Sequence, residues 1–589
     1  MKRIYLWMTM VFAMFLASCQ PESVKVAVVA TSDLEGALFS YDFKNAMESR
    51  NGLTFIANYL KEVKGELGDE NVIFVDNGDL FAGWPMAYYL NRLEKNEVNI
   101  AAEAMNLLGC EVYGIGEGEL SQGRDLLNRH AKAMKGSAVC ANLVDAATGK
   151  PVFKPYTVVE RNGVKCAFVG IITEEAVAYL SAAQMEGLKI TDCEAAARDA
   201  IAEIKKNENP DVIIGLMHMG ASSVSKRTKS REDMAQTIAR NVAGFDAIVC
   251  GHDGMRRSRT VESIDGKQVV LASPGRRGSF AVEVLISGVR GKNGIEKKSV
   301  NVDIKSMLAR TSDKEYVQAM RARVQEYASG VNKKIASVKG EMKAVDALFG
   351  PSAYVDIVHA VQLQNTGADL SIAHPYTIQE VCVDGEVSIA DMRRFYPVGG
   401  KLYTVTMKGS EIYDMLLHSL SGYYMNVYKK NGNLLKYNRE NTRLSENCKS
   451  LESVAGLRYN VHVNKKKDEG KLQILGLANG QPFKLDKEYT VAVSADYLQN
   501  ANLAFSIGAK IKQHELRKRV VAISEKDLTE LILDYFTANK TVQLKPMNNW
   551  SLQPAAWMKD IKENEMKKIT DVYFPQAMID DAALMPAIK

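Results

Sequence analysis

Short apolar runs alternate with longer amphipathic segments through the first half of the chain. In segments 99–109 and 193–206, apolar residues recur at the spacing of one helix face. The apolar runs between such segments are short and nearly continuous, as is typical of strands buried on both faces. Alternating strands and helices of this kind predict an α/β layered fold with helices covering the sheets. The runs lie at 24–30, 71–77, 137–143, 165–172, 211–218 and 246–252.

The middle of the chain contains one long helical pattern. Ser312 and Glu315 have the spacing of a capping box, and the segment from 312 to 331 continues with apolar residues at helical intervals. This spacing predicts a helix that connects the two halves of the chain. Its apolar positions are Val317, Met320, Val324, Tyr327 and Val331.

The N-terminus has the pattern of a secretion signal. Lys2 and Arg3 precede an apolar run that is too short to span a bilayer as a mature helix. The letters L-A-S-C ending at Cys19 resemble a bacterial lipoprotein signal, in which that cysteine becomes the lipidated first residue. The alternative is an ordinary cleaved signal with an incidental cysteine. We expect a bacterial envelope protein whose soluble body is tethered to the membrane at Cys19, on the periplasmic or cell-surface side.

Composition indicates ordinary globular domains. The chain has 589 residues, of which 46% are hydrophobic and 25% charged, enough for two or more packed cores. The net charge of +5 is small for this length and excludes a nucleic-acid polymer as the expected partner. The eight cysteines are irregularly spaced and contain no CxxC pair, which predicts buried thiols rather than disulfides or a cysteine zinc site.

Acidic and imidazole side chains follow several of the predicted strands. In an α/β fold, strand ends of this kind line the crevice in which sites are built. Carboxylates mixed with imidazoles suit divalent cations such as Mn²⁺ or Zn²⁺. Each residue alone is also explained as a solvated carboxylate or a hydrogen-bonded structural histidine, so the signal is their order along the chain. The residues are Asp33, Glu35, Asp79, Glu117, Glu119, His218 and His252.

This order resembles the calcineurin-like metallophosphoesterases, whose motifs run D-x-H-G, G-D, G-N-H-[DE], a lone His and G-H-x-H. The mature chain as a whole resembles the two-domain bacterial 5′-nucleotidases and 2′,3′-cyclic-nucleotide phosphodiesterases. Segments 352–375, 395–419 and 489–498 resemble the C-terminal domain of that family. The resemblance implies an N-terminal αββα sandwich joined by a helix to a C-terminal α+β domain. It also implies two metal ions that act on phosphoesters in nucleotide catabolism.

On this basis we divide the chain into five parts. Residues 1–19 are the signal, 24–305 the metallophosphoesterase domain and 306–345 the connecting helical segment. Residues 346–560 are the 5′-nucleotidase C-terminal domain, and 561–589 are a tail.

The motifs match only in part. Asp33, Asp79, His218 and His252 stand at metal-ligand positions of the family, with Asp79 at the position that bridges two ions. Four positions depart from the pattern. Two of them put Glu35 and Glu117 where the family has the D-x-H histidine and the asparagine, and two put glycine in place of histidine, at Gly118 and Gly254.

These residues still predict a divalent metal centre that holds one or two ions. The alternative is that no metal binds. One position would use Asp79, Glu117, His218 and His252, which suit Mn²⁺ or Zn²⁺. The other would use Asp33, Glu35 and Asp79, which favour Mg²⁺, Ca²⁺ or Mn²⁺.

The resemblance implies that the histidine which Gly118 replaces assists the transition state or the leaving group. Its loss removes proton-transfer help worth about 10²–10⁴-fold. We therefore expect hydrolysis of nucleotide phosphoesters to be weak or lost, with binding of a nucleotide, another phosphorylated small molecule or a partner protein favoured. We predict Glu119 as a replacement proton donor and Tyr497 as a residue that stacks on a base. The alternatives are an active metal-dependent 5′-nucleotidase or cyclic-nucleotide phosphodiesterase, and a scaffold that needs no metal.

Overall fold

The computed structural model divides the chain into two compact units. The first contains the described residues up to 327, and the second contains those from 328 onward. The predicted signal with Cys19, and the part of the predicted tail beyond 573, lie outside the described residues. The structure describes residues 23–42, 47–48, 50–81, 83, 86–221, 231–291, 294–397, 399–437, 444, 448–499 and 503–573.

The first unit is built on two six-stranded sheets. Their strand orders are β16-β15-β1-β4-β5-β6 and β13-β14-β12-β11-β9-β8. The strands are β1 (Ser23–Thr31), β2 (Tyr41–Asp42), β3 (Met47–Glu48), β4 (Val72–Asp76), β5 (Cys110–Gly114), β6 (Ser137–Val139), β7 (Leu143–Asp145), β8 (Tyr156–Arg161), β9 (Val164–Ile172), β10 (Leu188–Ile190), β11 (Val212–His218), β12 (Ala247–Cys250), β13 (Arg256–Glu262), β14 (Gln268–Pro274), β15 (Phe280–Gly291) and β16 (Gly294–Ser306).

The central strands of both sheets are parallel. In the first sheet β1, β4, β5 and β6 run together, and in the second β9, β11, β12 and β14 do so. Because the carboxyl ends of parallel strands meet at one edge of a sheet, the segments that follow these strands share a rim. The sheets pack face to face through one apolar cluster that includes Val28, Val75, Phe168, Ile214 and Val249.

Helices cover the outer face of each sheet, which confirms the predicted αββα sandwich. In the second sheet, for example, Ala197, Ile201 and Ile204 of the helix Cys193–Asn207 pack in one cluster with Ile213 and Ile248. The helices of this unit are α1 (Leu53–Leu67), α2 (Ile100–Leu108), α3 (Glu117–Ser121), α4 (Arg124–Ala133), α5 (Cys193–Asn207), α6 (Ala235–Asn241) and most of α7 (Lys314–Val331). A short helical turn at Met86–Tyr88 continues as a π-helical turn to Leu93, and a 3₁₀ turn spans Glu174–Tyr179.

Local sequence explains where several helices begin and end. The Asn99 side chain accepts a hydrogen bond from the Ala102 amide at 2.8 Å, and α2 ends at Gly109 with a φ of 74°. Asp192 caps α5 by accepting from the Ala195 amide at 2.7 Å. Such caps satisfy amides that have no partner inside the helix.

The predicted helix in the middle of the chain is confirmed as α7, but its predicted cap is wrong. Asp313, not Ser312, lies at its start and accepts from the Tyr316 amide at 2.7 Å, while Glu315 pairs with Lys61. Val317, predicted on the apolar face, is exposed, and Tyr316 is buried instead.

The second unit is an α+β body around a five-stranded sheet of order β23-β19-β26-β22-β27. Its core joins that sheet to the helices and to a three-stranded sheet of order β25-β24-β29. Its strands are β17 (Lys334–Lys339), β18 (Met342–Lys343), β19 (Leu370–Ala373), β20 (Val381–Cys382), β21 (Gly385–Ser388), β22 (Lys401–Lys408), β23 (Ser453–Ala455), β24 (Leu457–His462), β25 (Leu472–Leu477), β26 (Glu488–Ser494), β27 (Val520–Asp527), β28 (Thr541–Gln543) and β29 (Trp550–Gln553).

The main helices of the second unit alternate with these strands. They are α8 (Ala353–Thr366), α9 (Ile389–Phe395), α10 (Gly409–Tyr423), α11 (Gln513–Lys518), α12 (Leu528–Asn539) and α13 (Ala555–Tyr573). Shorter turns lie at Ala344–Phe349, Cys448–Ser450, Lys467–Glu469, Asp496–Gln499 and Ala504–Gly508. Residues 561–573 of the predicted tail are thus helical. Within the described residues, no helix has the length and apolar character needed to cross a membrane.

Candidate metal centre

Five of the six predicted metal-ligand residues meet at the rim of the first unit. Asp33 and Asp79 follow β1 and β4, Glu117 begins α3 directly after β5, His218 ends β11, and His252 follows β12. Among the described residues, two groups have ligand atoms within 4.8 Å of one another, and they share His218. The groups are Glu117, His218 and His252, and Asp33, Asp79 and His218.

His218 is the centre of this cluster. Its Nδ1 lies 2.8 Å from the carbonyl oxygen of Asn77, which holds the proton on that nitrogen and turns Nε2 toward the carboxylates. Nε2 lies 3.2 Å from Glu117 Oε2, 3.5 Å from Asp79 Oδ1 and 4.0 Å from Asp33 Oδ1. The imidazole is fully buried.

Glu117 joins the two histidines. Its Oε1 lies 2.7 Å from His252 Nδ1, and the other ring nitrogen of His252 lies 3.2 Å from Glu232 Oε1. The His252 backbone amide donates to Asp33 Oδ1 at 2.9 Å, which ties the last strand end to the first. Both ends of the His252 ring therefore face carboxylates.

Burial sets the electrostatics of the cluster. It raises the pKa of Asp33 to about 7 and also raises the pKa of Asp79, which the neighbouring Glu117 raises further. Burial acts the same way on Glu117, but His252 and His218 hold its pKa well below the ordinary value. Burial would lower the pKa of both histidines, whereas the facing carboxylates raise it well above the ordinary value.

The donor set fits one divalent cation. His218 Nε2 and Glu117 Oε2 are buried and 3.2 Å apart, yet neither has an aligned hydrogen-bond partner in the part of the chain that the structure describes. Orphaned buried atoms of this kind need a partner, and a cation bound between them would supply it. Carboxylate oxygens with two imidazoles are the ligands expected for Mn²⁺ or Zn²⁺.

The backbone of the rim is held in an unusual conformation. Asp33, Glu35, Asp79, His252 and Arg277 all have a φ between 46° and 71°, in the left-handed region. Residues other than glycine rarely adopt it, and such residues cluster at functional sites. Here these sharp turns follow strand ends and direct the side chains to the rim.

Close packing around residue 116 explains why a glycine precedes Glu117. A Cβ atom on Gly116 would lie 2.9 Å from His218 Cε1 and in collision with Asp79 Oδ1. The residue before Glu117 must therefore lack a side chain if Asp79 and His218 are to meet.

Glu119 occupies a different position from that of a proton donor. One of its oxygens accepts from the amides of Gly116 and Asp79, each at 2.9 Å. The other accepts from the amides of Leu80 and Phe81 at 2.7 and 3.1 Å. Burial and Asp79 raise the pKa of Glu119 to about 7, while these amides favour its ionised form. Since both oxygens join the loops after β4 and β5, this geometry favours a positioning role over the predicted role as a proton donor.

Glu35 does not join the candidate ligands. Its Oε2 lies 2.9 Å from Arg277 Nε and its Oε1 lies 3.6 Å from Arg276 Nη1. The carboxylate thus faces two guanidinium groups, and it belongs to neither of the two metal-capable groups of the described residues. Its predicted use as a substitute metal ligand does not agree with this geometry.

The environment of Tyr497 also differs from that of the predicted stacking residue. The side chain is 1% exposed and packs between His374 and Phe505, with ring centroids 5.5 and 5.0 Å away. A ring that stacks on a base must offer a face to solvent. The position of Tyr497 in the core of the second unit therefore argues against base stacking.

Sequence reasoning missed four residues of the rim, which are Asn77, Glu232, Arg276 and Arg277. The two arginines stand in "PGRRGS", directly after β14, so the rule that strand ends carry the site also applies to them. Glu232 lies in the charge-rich segment 225–233. Residues 225–230 of that segment are outside the described part.

Comparison with known sequences supports the resemblance to the two-domain 5′-nucleotidases. A family model for the 5′-nucleotidase C-terminal domain matches residues 334–508. The trifunctional nucleotide phosphoesterase YfkN of Bacillus subtilis is 23% identical over 90% of this chain, which spans 39% of that protein. The 5′-nucleotidase of Vibrio parahaemolyticus is 24% identical over 67% of this chain and 74% of its own length.

Solved structures share the fold. The NAD nucleotidase of Haemophilus influenzae superposes with a TM-score of 0.60 at 15% identity, covering 90% of this chain and 99% of that one. A 5′-nucleotidase precursor of Thermus thermophilus gives 0.53 at 18% identity, covering 90% of this chain and 100% of the other. The architecture predicted from the resemblance is confirmed.

Proposed function

We propose that this chain, a two-domain member of the 5′-nucleotidase family, binds nucleotide phosphoesters at a metal-dependent site and hydrolyses them weakly. The relatives named above are nucleotidases and a nucleotide phosphoesterase, which supports a nucleotide as the ligand. Asp79, Glu117, His218 and His252 would hold the cation, with Asp33 beside them. A divalent ion there would neutralise phosphoryl oxygens and activate a water.

Weak hydrolysis follows from the turn that begins α3. Gly118 has no side chain to protonate a leaving group, and its amide donates to Asp79 Oδ1 at 2.6 Å. The neighbouring Glu119 uses both oxygens on backbone amides. This turn therefore positions Asp79 and supplies no general acid, a loss of about 10²–10⁴-fold in rate.

The rival is an active nucleotidase, and the assembled donor cluster is the observation in its favour. The deciding measurement is isothermal titration of 5′-AMP into the full-length protein, with and without Mn²⁺, followed by phosphate release from the same samples. We expect binding that requires Mn²⁺ and turnover far below that of a nucleotidase carrying the complete motif. Rapid, Mn²⁺-dependent release would favour the rival, and absence of both metal and AMP binding would leave only a scaffold.

We also propose that the protein is anchored in the bacterial envelope through lipid on Cys19. The observation that supports this is the lipoprotein-signal pattern of residues 1–19. Expression of the chain and of Cys19→Ala, followed by membrane fractionation and mass spectrometry of the N-terminal peptide, tests it. We expect the lipid mass and membrane association only for the unaltered chain.

A further inference from the structure

Two arginine side chains lie at the Glu35 end of the rim. Arg276 and Arg277 follow β14 and approach Glu35 from the same turn. The Arg277 backbone amide donates to the carbonyl oxygen of Asp33 at 2.8 Å, so this turn is fixed to the loop that carries Asp33 and Glu35. The two side chains are 53% and 43% exposed, so solvent and solutes reach them.

Gly254 provides the space that Arg276 uses. A Cβ atom on Gly254 would lie 2.5 Å from Arg276 Nε and 2.7 Å from its Cζ. Gly254 also has a φ of 61°, which disfavours any other residue. The Arg276 guanidinium therefore occupies space that a side chain at position 254 would need.

Arg276 has guanidinium N–H groups that no described residue uses as hydrogen-bond donors. Within the described residues its guanidinium donates no hydrogen bond, and its ion pair with Glu35 is long at 3.6 Å. Arg277, in contrast, donates to Glu35 at 2.9 Å. A planar guanidinium with free N–H groups matches two oxygens of a phosphoryl group at once.

We propose that Arg276 takes the place of a second metal ion at this rim. Its guanidinium, set beside Glu35 and over Gly254, binds oxygens of the phosphoryl group whose other oxygens face a single divalent cation at Asp79, Glu117, His218 and His252. This inference rests on the proposed function and gives it a stoichiometry and a second anchoring point for the ligand.

The chemistry of a guanidinium agrees with binding rather than turnover. Arginine stays protonated and pairs with phosphate, but unlike a metal ion it does not ionise a bound water. Glu35 offsets one of the two guanidinium charges, which leaves one positive charge for the ligand. The rim then attracts a phosphoryl dianion without a second activating ion.

Metal stoichiometry is the first test. The full-length protein is equilibrated with Mn²⁺, and bound metal is counted by elemental mass spectrometry and examined by electron paramagnetic resonance. We expect about one ion per chain, with the hyperfine spectrum of an isolated ion, and the same result for Glu35→Gln. Two ions per chain with an exchange-coupled spectrum, or loss of an ion in Glu35→Gln, would overturn the inference.

Phosphate affinity is the second test. Inorganic phosphate is titrated calorimetrically into the Mn²⁺-loaded protein, Arg276→Ala and Arg276→Lys. We expect Arg276→Ala to lose about 10–100-fold in affinity while still binding one Mn²⁺, and Arg276→Lys to recover part of it. The matched control is Arg256→Ala, which removes an exposed arginine that stacks on Phe280 and should leave the affinity unchanged.

The two hypotheses fail in different ways. If the unaltered chain binds neither Mn²⁺ nor AMP, the proposed function fails and the inference fails with it. If the chain binds both but Arg276→Ala keeps full phosphate affinity, only the role of Arg276 is wrong.

Discussion

His218 in the first unit and His359 in the second are equally buried, yet their surroundings are opposite. The His359 nitrogens lie 2.8 Å from Ser371 Oγ and 3.0 Å from Ser453 Oγ, and burial lowers its pKa to about 3. Burial would lower the pKa of His218 as well, but Asp79 and Glu117 raise it well above the ordinary value.

The difference shows how a buried polar residue signals chemistry. His359 is satisfied by two neutral hydroxyl groups and helps to hold α8 against its sheet. His218 Nε2 faces several carboxylates and has no aligned partner. A buried histidine alone thus carries little information, whereas buried charges that converge on it indicate a bound cation.

The largest effect should come from removing one charge from the His218 cluster. Asp79→Asn keeps an oxygen for the Gly118 amide but removes a buried negative charge. We expect Mn²⁺ affinity to fall by about a hundredfold or more, since partners behind the ligands alone account for about 10–100-fold. The melting temperature of the metal-free protein should rise, because repulsion among the carboxylates is relieved. Calorimetric titration and thermal unfolding measure the two.

The control for this variant is Asp303→Asn, which alters an exposed carboxylate on β16 and should change neither quantity. If Asp79→Asn lowered metal-free stability and left Mn²⁺ affinity intact, the cluster would be an ordinary structural ion-pair network.

The next largest effect should be a change in the acid sensitivity of α8 when His359 is replaced. Because its folded pKa of about 3 lies below the unfolded value, the unfolded chain takes up a proton as pH falls through about 6.5. This contribution is present above that pH and is lost toward pH 3, amounting to about 2 kcal/mol between pH 7 and 4.5. His359→Gln should therefore make opening of α8 less sensitive to acid, as measured by hydrogen exchange.

The matched control is His514→Gln, an exposed histidine of the same unit, which should leave the acid sensitivity of α8 unchanged. An unaltered pH profile in His359→Gln would mean that His359 is not held neutral.

The smallest effect is expected at Tyr497. Its buried hydroxyl has no hydrogen-bond partner among the described residues, so Tyr497→Phe should change the unfolding free energy by less than about 1 kcal/mol. The comparison is Tyr354→Phe, which deletes a 2.6 Å hydrogen bond to the Phe395 carbonyl and should cost about 1–3 kcal/mol. Tyr497→Leu should keep full AMP affinity in titration, and a large loss there would restore the stacking role.

The sequence predicts the first unit well because its strands are buried on both faces. Such strands are nearly continuous apolar runs, and β1, β4, β9, β11 and β12 are all found at predicted runs. Run 137–143 is the exception. It contains β6 and only the first residue of β7, because its middle turns between two sheets.

The candidate site was harder to predict where partners are distant in sequence. The rule that strand ends share a rim places Asp33, Asp79, Glu117, His218 and His252 near one another. It does not give the partner of Glu35, because Arg277 is 242 positions away and nothing local to either residue marks the pair. Tyr497 shows the same limit, since its burial depends on His374, which lies in another part of the chain.

The left-handed turns of the rim have a consequence for sequence drift. Each of Asp33, Glu35, Asp79, His252 and Arg277 holds a conformation that glycine adopts more easily, at a cost of about 1 kcal/mol or more each. Glycine at any of them would relieve backbone strain while removing a side chain that the rim uses. A library of glycine substitutions would therefore sort these positions by what their side chains do, because selection for stability and selection for ligand binding favour opposite residues.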